Sequence, residues 1–101
     1  MVKHIILWTL NPELSEAEKQ EVKAGIKAGL EGLVGKVPGL IDVKVHIDGR
    51  LASSNADVIR DSTLESEEAL KGYAVHPEHV AVANGKVRPY MVQRSCLDFE
   101  I

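Results

Sequence analysis

The chain has 101 residues, 45% apolar and 27% charged, with a formal net charge of −3. That describes one ordinary globular domain over residues 1–101, large enough for a single core and small enough to gain from a partner. No basic run exceeds two residues, which argues against a nucleic-acid partner, and the lone Cys96 excludes an internal disulfide and fits the cytoplasm.

Val2 to Leu10 reads as the first strand, with His4, Ile6 and Trp8 on one face and Ile5 and Leu7 on the other. A strand apolar on both sides is covered on both sides, here by helices and by a second subunit. Asn11-Pro12 cuts the apolar run well short of a signal-peptide core or a membrane span, so no membrane partner is expected. Ser15 to Glu18 is a capping box opening a long helix. Val22, Ile26, Leu30, Leu33 and Val37 form its buried stripe. Gly25, Gly29, Gly32 and Gly35 lie along it, each interior glycine costing about 0.5–1 kcal/mol relative to alanine. Either the helix tolerates them, fraying towards Gly35, or they leave room beneath it for a ligand.

Pro38-Gly39 is a turn, and Leu40 to Asp48 is the second strand, its Ile41, Val43, Val45 and Ile47 alternating with Asp42, Lys44 and His46. That alternation puts His46 on the polar face. Gly49 to Asn55 reads as a loop. Asp57 to Leu64 forms a weaker third strand with Val58, Arg60 and Ser62 on one side, where an arginine is unexpected. Ser66 is the N-cap of a helix ending near Tyr73, and a third short helix runs to Asn84-Gly85. Pro89 precedes the last strand, Tyr90 to Glu100, which carries Val92, Arg94, Cys96 and Asp98 on one face. The order β-α-β-β-α-β, its second helix broken at His76-Pro77, is the α+β ferredoxin-like arrangement.

The stretch from Tyr73 to His79 concentrates the polar chemistry, holding two of the four histidines and one of two tyrosines. Pro77 suits the first turn of a helix and pushes His76 towards an extended conformation. Glu78 then sits well at the positive helix end, whereas His79 is disfavoured as imidazolium and tends to be neutral. A neutral imidazole beside a phenol makes a general base with a hydrogen-bonding helper, so Tyr73 and His79 are the catalytic candidates. The plain alternative is that His4, His76 and His79 are hydrogen-bonded framework residues. A metal site from His76 and His79 needs both on one helix face, which Pro77 opposes, so no metal is expected, nor any organic cofactor. Cys96, mid-strand and without a local histidine, reads as core.

Several stretches resemble one known family together. They are Val2-Lys3-His4, the Ser15 helix start, Val37-Pro38-Gly39-Leu40, the run from Glu68 to Val80 containing His76-Pro77-Glu78-His79, and the closing Leu97 to Ile101. Along essentially its whole length the chain is similar to the stress-responsive A/B barrel family, the dimeric α+β barrel proteins. The resemblance implies a homodimer whose two four-stranded sheets form a barrel with the helices outside, and a pocket within each subunit. Most members have no assigned activity. In a plant polyketide cyclase similar in this stretch, the catalytic tyrosine and histidine fall on Tyr73 and His79, and a pocket histidine on His4. The same alignment implies Val22, Ile26, Val58, Arg60, Arg94, Cys96 and Asp98 as lining. The sequence departs from that cyclase in its aliphatic first helix and in Arg60 and Arg94, which suit an anionic ligand or pair with Asp57 or Asp98.

Two functions follow as expectations. The first is a homodimer binding a small organic ligand without turnover. The second is a cofactor-independent cyclase or isomerase, with His79 as general base and Tyr73 as hydrogen-bond donor to an enolate oxygen. In either, the pocket is expected between His4 and Trp8 on the first strand and the segment Tyr73 to Val80. His76, Val80, Val22, Ile26, Arg94 and Asp98 complete the expected binding residues.

Overall fold

A computed structural model describes residues 1–101. Four strands and three helices run in the order β1 (Val2–Leu10), α1 (Glu16–Glu31), β2 (Leu40–His46), β3 (Val58–Leu64), α2 (Glu67–Val75), α3 (Pro77–Val82) and β4 (Met91–Glu100). The strands form one antiparallel sheet in the order β2-β3-β1-β4, the ferredoxin-like topology expected. No helix is long and apolar enough to cross a membrane.

Period-two alternation sorts β1 as the sequence implies. Ile6, Trp8 and Leu10 are buried beneath the helices, while Leu7 on the reverse face is 40% exposed. The core gathers Ile6 and Trp8 with Ile26 and Leu30 from α1, Leu33 from the turns after it, Val43 and Val45 from β2, Val58 and Leu64 from β3, and Tyr73 from α2. Ser15 closes its capping box with Glu18 in both directions, at 3.1 and 3.0 Å. Near the other end of α1, Lys27 donates to the Glu31 carboxylate at 2.9 Å and to the Val45 carbonyl at 2.8 Å. The same Glu31 oxygen accepts from the Val45 N–H at 3.0 Å, so the pair ties α1 to the open edge of β2.

Four expectations need correction. α1 stops at Glu31, short of Val37, and Leu33 and Val37 reach the core from the turns that follow. A register shift between Leu40 and Asp42 turns Leu40 inward and leaves Ile41 exposed, breaking the clean alternation in β2. The third helix does not end at Asn84-Gly85. It continues through a wide π-helical turn at Ala83–Val87 and a 3-10 turn at Arg88–Tyr90. Cys96 is exposed and not core, because β4 is an edge strand that the helices leave largely uncovered.

Two glycines have definite work. A Cβ on Gly29 would stand 2.9 Å from Cγ1 of Val82, so this glycine lets α1 and α3 approach; it opens no room for a ligand. Gly39 has φ of +79°, and a Cβ there would come 2.6 Å from the Ala69 Cβ. Gly39→Ala should therefore lower stability by about 2 kcal/mol, from backbone strain and the clash with α2. A urea midpoint equal to that of the parent protein would contradict this packing.

Candidate functional site

The site is assembled by two local devices. Antiparallel register sets His4 opposite Asp98, Ile6 opposite both Arg60 and Cys96, and Trp8 opposite Arg94, all on the face that looks towards the helices. Opposite this face, the helical segment breaks where Pro77 demands it. Ser66 caps α2, its hydroxyl accepting the Ala69 N–H at 3.1 Å. His76 is extended, with φ −66° and ψ 132°, and its Nδ1 accepts the Glu78 N–H at 3.1 Å, capping α3. The break swings the start of α3 so that His79 lies against Tyr73, with ring centroids 4.1 Å apart.

Between sheet and helices lies a cleft of about 950 Å3. Its floor is the Tyr73 ring, 1% exposed, flanked by the His79 imidazole and by the Arg60 guanidinium, whose carbon is 4.6 Å from the ring centroid. His4 approaches Tyr73 edge-on at 6.3 Å. His4 Nδ1 is bonded to the Asp98 carboxylate. The carboxylate accepts, so Nδ1 carries the proton and Nε2 is left as the basic nitrogen. Asp98 also accepts from the Cys96 thiol at 3.5 Å. The Tyr73 hydroxyl and the Arg60 Nε and Nη2 are buried and have no hydrogen-bond partner.

Burial and the Arg60 charge set the protonation states. Desolvation, and then the Arg60 charge, push the His79 imidazole down to about 4. Desolvation holds His4 below its ordinary value, outweighing its bond to Asp98. It also raises the Tyr73 phenol to about 12, with Arg60 opposing. At neutral pH both imidazoles are uncharged and the phenol keeps its proton. The consequence for stability has a definite sign. Between pH 6.5, the ordinary histidine value, and about 4 the unfolded chain binds a proton at residue 79 that the folded chain refuses. Stability is thus lost as pH falls through that window, and His79→Gln should lose less than the parent protein. Urea midpoints at neutral pH and near the lower limit check this; equal losses in both proteins would contradict it.

Of the expected residues, the structure brings Tyr73, His79, His4, Trp8, Arg94 and Asp98 to the cleft, together with Arg60 and Cys96. Val22, Ile26, Val80, His76 and Val58 do not line it. Ile26 is wholly inside the core and Val22 packs against it beneath α1. Val80 follows His79 by one residue, a turn of about 100° around the helix, and so leaves the cleft face. His76 is occupied as a cap. Residues not foreseen include Ala83, Val87 and Arg88. The first two follow His79 at intervals of four, a stripe legible in the sequence had the helical segment been carried past Gly85. His4, Cys96 and Asp98 could offer a cation three ligand atoms within 4.8 Å of one another. Arg60 and Arg94 beside them oppose positive charge there.

A four-stranded antiparallel sheet backed by helices, with a cleft between sheet and broken helix, defines an α+β ferredoxin-like protein. Residues 2–101 match the Stress responsive A/B Barrel Domain, and the chain belongs to that family. No curated protein matches it in sequence. Among solved structures it is similar to a dimeric protein of unknown function from Bacteroides fragilis, at 28% identity and TM-score 0.91, covering 99% of this chain and 95% of that one. A dimeric ferredoxin-like protein of unknown function from Thermobifida fusca is similar at 24% identity and TM-score 0.79, with 99% and 90% covered. The hydroxynitrile lyase of Passiflora edulis shares the fold at 18% identity and TM-score 0.79, with 99% and 92% covered.

Proposed function

We propose that the chain forms a homodimer and that each subunit binds a small organic molecule in the cleft, without turnover and without a metal or organic cofactor. The observation that carries this reading is a cleft of about 950 Å3 with mainly apolar walls and a few convergent polar groups, which is the usual make-up of a ligand site. The unpartnered Tyr73 hydroxyl supports it, since a buried donor without an acceptor is unfavourable until a ligand oxygen meets it. Tyr73→Phe and His79→Ala should weaken binding of small carbonyl compounds, the former with little loss of fold. His46→Ala is the control, because His46 is exposed on β2 outside the cleft. Loss of binding in the control alone would sink the reading. The free, exposed Cys96 supports a reducing compartment such as the cytoplasm.

Pairing is supported by the dimeric relatives from Bacteroides fragilis and Thermobifida fusca and by the uncovered sheet face. On that face Ile5 stands opposite Leu97 and Leu7 opposite Ile59, with Phe99 alongside; Leu7, Leu97 and Phe99 are exposed. A second copy would cover them. Leu7→Glu or Leu97→Glu should split the dimer or unfold it, because the charge would be buried at the joint. Sedimentation finding a folded parent monomer at micromolar concentration refutes the pairing.

The His4–Asp98 bond favours a second reading, cofactor-independent cyclisation or isomerisation of a small carbonyl compound. An imidazole nitrogen removes a proton α to the carbonyl, and the Tyr73 hydroxyl hydrogen-bonds the enolate oxygen formed. His79 adjoins Tyr73 but is a weak base; His4, oriented by a carboxylate, is the better-held one. In that case alanine at the working histidine lowers turnover by roughly 10²–10⁴. Unchanged turnover in both single variants would dismiss this chemistry.

A further inference from the structure

We propose that the ligand of this cleft is a small organic acid, and that the unpaired guanidinium of Arg60 is the subsite that takes its carboxylate. The proposal rests on the cleft being a ligand site and names the class of ligand. Arg60 projects from β3 between the strand partners Ile6 and Val45, both buried and apolar, and is itself 1% exposed. It borders the cleft. No carboxylate of the chain forms an ion pair with it. Asp98, on the same face, is engaged by His4 and by the Cys96 thiol. Stacking on the Tyr73 ring at 4.6 Å, with the polar end of the same side chain nearby, is the main compensation the guanidinium has.

A guanidinium stays charged in a protein, so burial without a counter-anion is a standing cost that a bound anion removes. The two fully buried nitrogens without partners are Nε and Nη2. They lie on one edge of the guanidinium and point their N–H bonds in parallel, the fork that meets both oxygens of a carboxylate. The Tyr73 hydroxyl, also unmet, lies in the same floor and offers a further donor. None of these atoms reaches solvent, so seating the acid shifts side chains packed over the guanidinium, Tyr73 among them. Arg88 and Arg94 on the wall add positive potential, set against Glu67, Asp98 and Glu100 on the same lining. Trp8 and Val87 offer apolar surface to the rest of the molecule. This combination suits an aromatic or aliphatic carboxylic acid.

The test is calorimetric titration with benzoate and octanoate, each against its neutral amide. The parent protein should bind an acid at least about tenfold more tightly than its amide, the discrimination expected of charge-assisted hydrogen bonds. Arg60→Met should weaken acid binding by about 10- to 100-fold and amide binding by clearly less. Its ligand-free melting temperature should equal or exceed that of the parent, because the lost charge had no partner. Arg60→Lys, which keeps the charge without the fork, should fall between the two and serves if the methionine variant does not fold. Equal affinity for acid and amide in the parent protein, or an acid preference kept by Arg60→Met, overturns the assignment. So does failure of both acids to bind at millimolar concentration. If amides bind as tightly as acids and Tyr73→Phe weakens both, the cleft remains a ligand site and only the carboxylate assignment falls.

Discussion

Everything at the site depends on the register of the central strand β1. It pairs antiparallel with β3 on one side and β4 on the other, and its even-numbered residues face the helices throughout. Since strand side chains alternate with a period of two, a slip of one residue would send His4, Ile6 and Trp8 to the open face. The same slip would carry Asp98 away from His4 and leave the imidazole buried without its carboxylate. Register is held by the apolar residues on the covered face and by the Ser62 hydroxyl, which donates to the His4 carbonyl at 2.7 Å deep inside the sheet. A sheet pinned in this way gathers its polar residues towards the cleft on one face and leaves the other uncovered.

The second constraint is the proline break. A continuous helix from Glu67 to Val82 would run straight past the sheet, and residues 73 and 79, six apart, would project from different sides of it. Pro77 forbids the helical conformation at His76, and the His76 ring restores order by capping the segment that begins again. The price of a broken helix is therefore small, and the return is that phenol and imidazole meet over the sheet. Gly29 contributes from the far side, allowing α1 to lie against the restarted helix.

Electrostatically the cleft is governed by burial and by one charge. Its imidazoles are held neutral by burial and by Arg60, its phenol is held protonated by burial against the pull of Arg60, and that charge has no counter-ion in the chain. A site of neutral bases around a buried cation is poised for a ligand that brings negative charge or develops it, which is why binding of an acid and stabilisation of an enolate are chemically neighbouring readings. Sequences tolerate such an arrangement where function requires it and an apolar core would be more stable.

Local patterns determined most of the framework from sequence alone. Ser15 with Glu18, Ser66, and His76 before Pro77 are short-range devices whose hydrogen bonds lie within a few residues, so their outcome is legible without knowing the fold. The alternation in β1, and the placing of Arg60 on one side of β3 with Val58 and Ser62, were likewise readable as period-two patterns. Burial of Cys96 was misread because an isolated strand does not reveal whether it lies at a sheet edge. Val22 and Ile26 were misplaced because helical periodicity says which face is buried but not whether it meets the core or a cavity. Only the tertiary structure decided that His4 meets Asp98 across ninety-odd residues and that Tyr73 lies between His79 and Arg60. It alone left that arginine without a partner, since the absence of a counter-charge is a property of the whole packed surroundings and of no single stretch of chain.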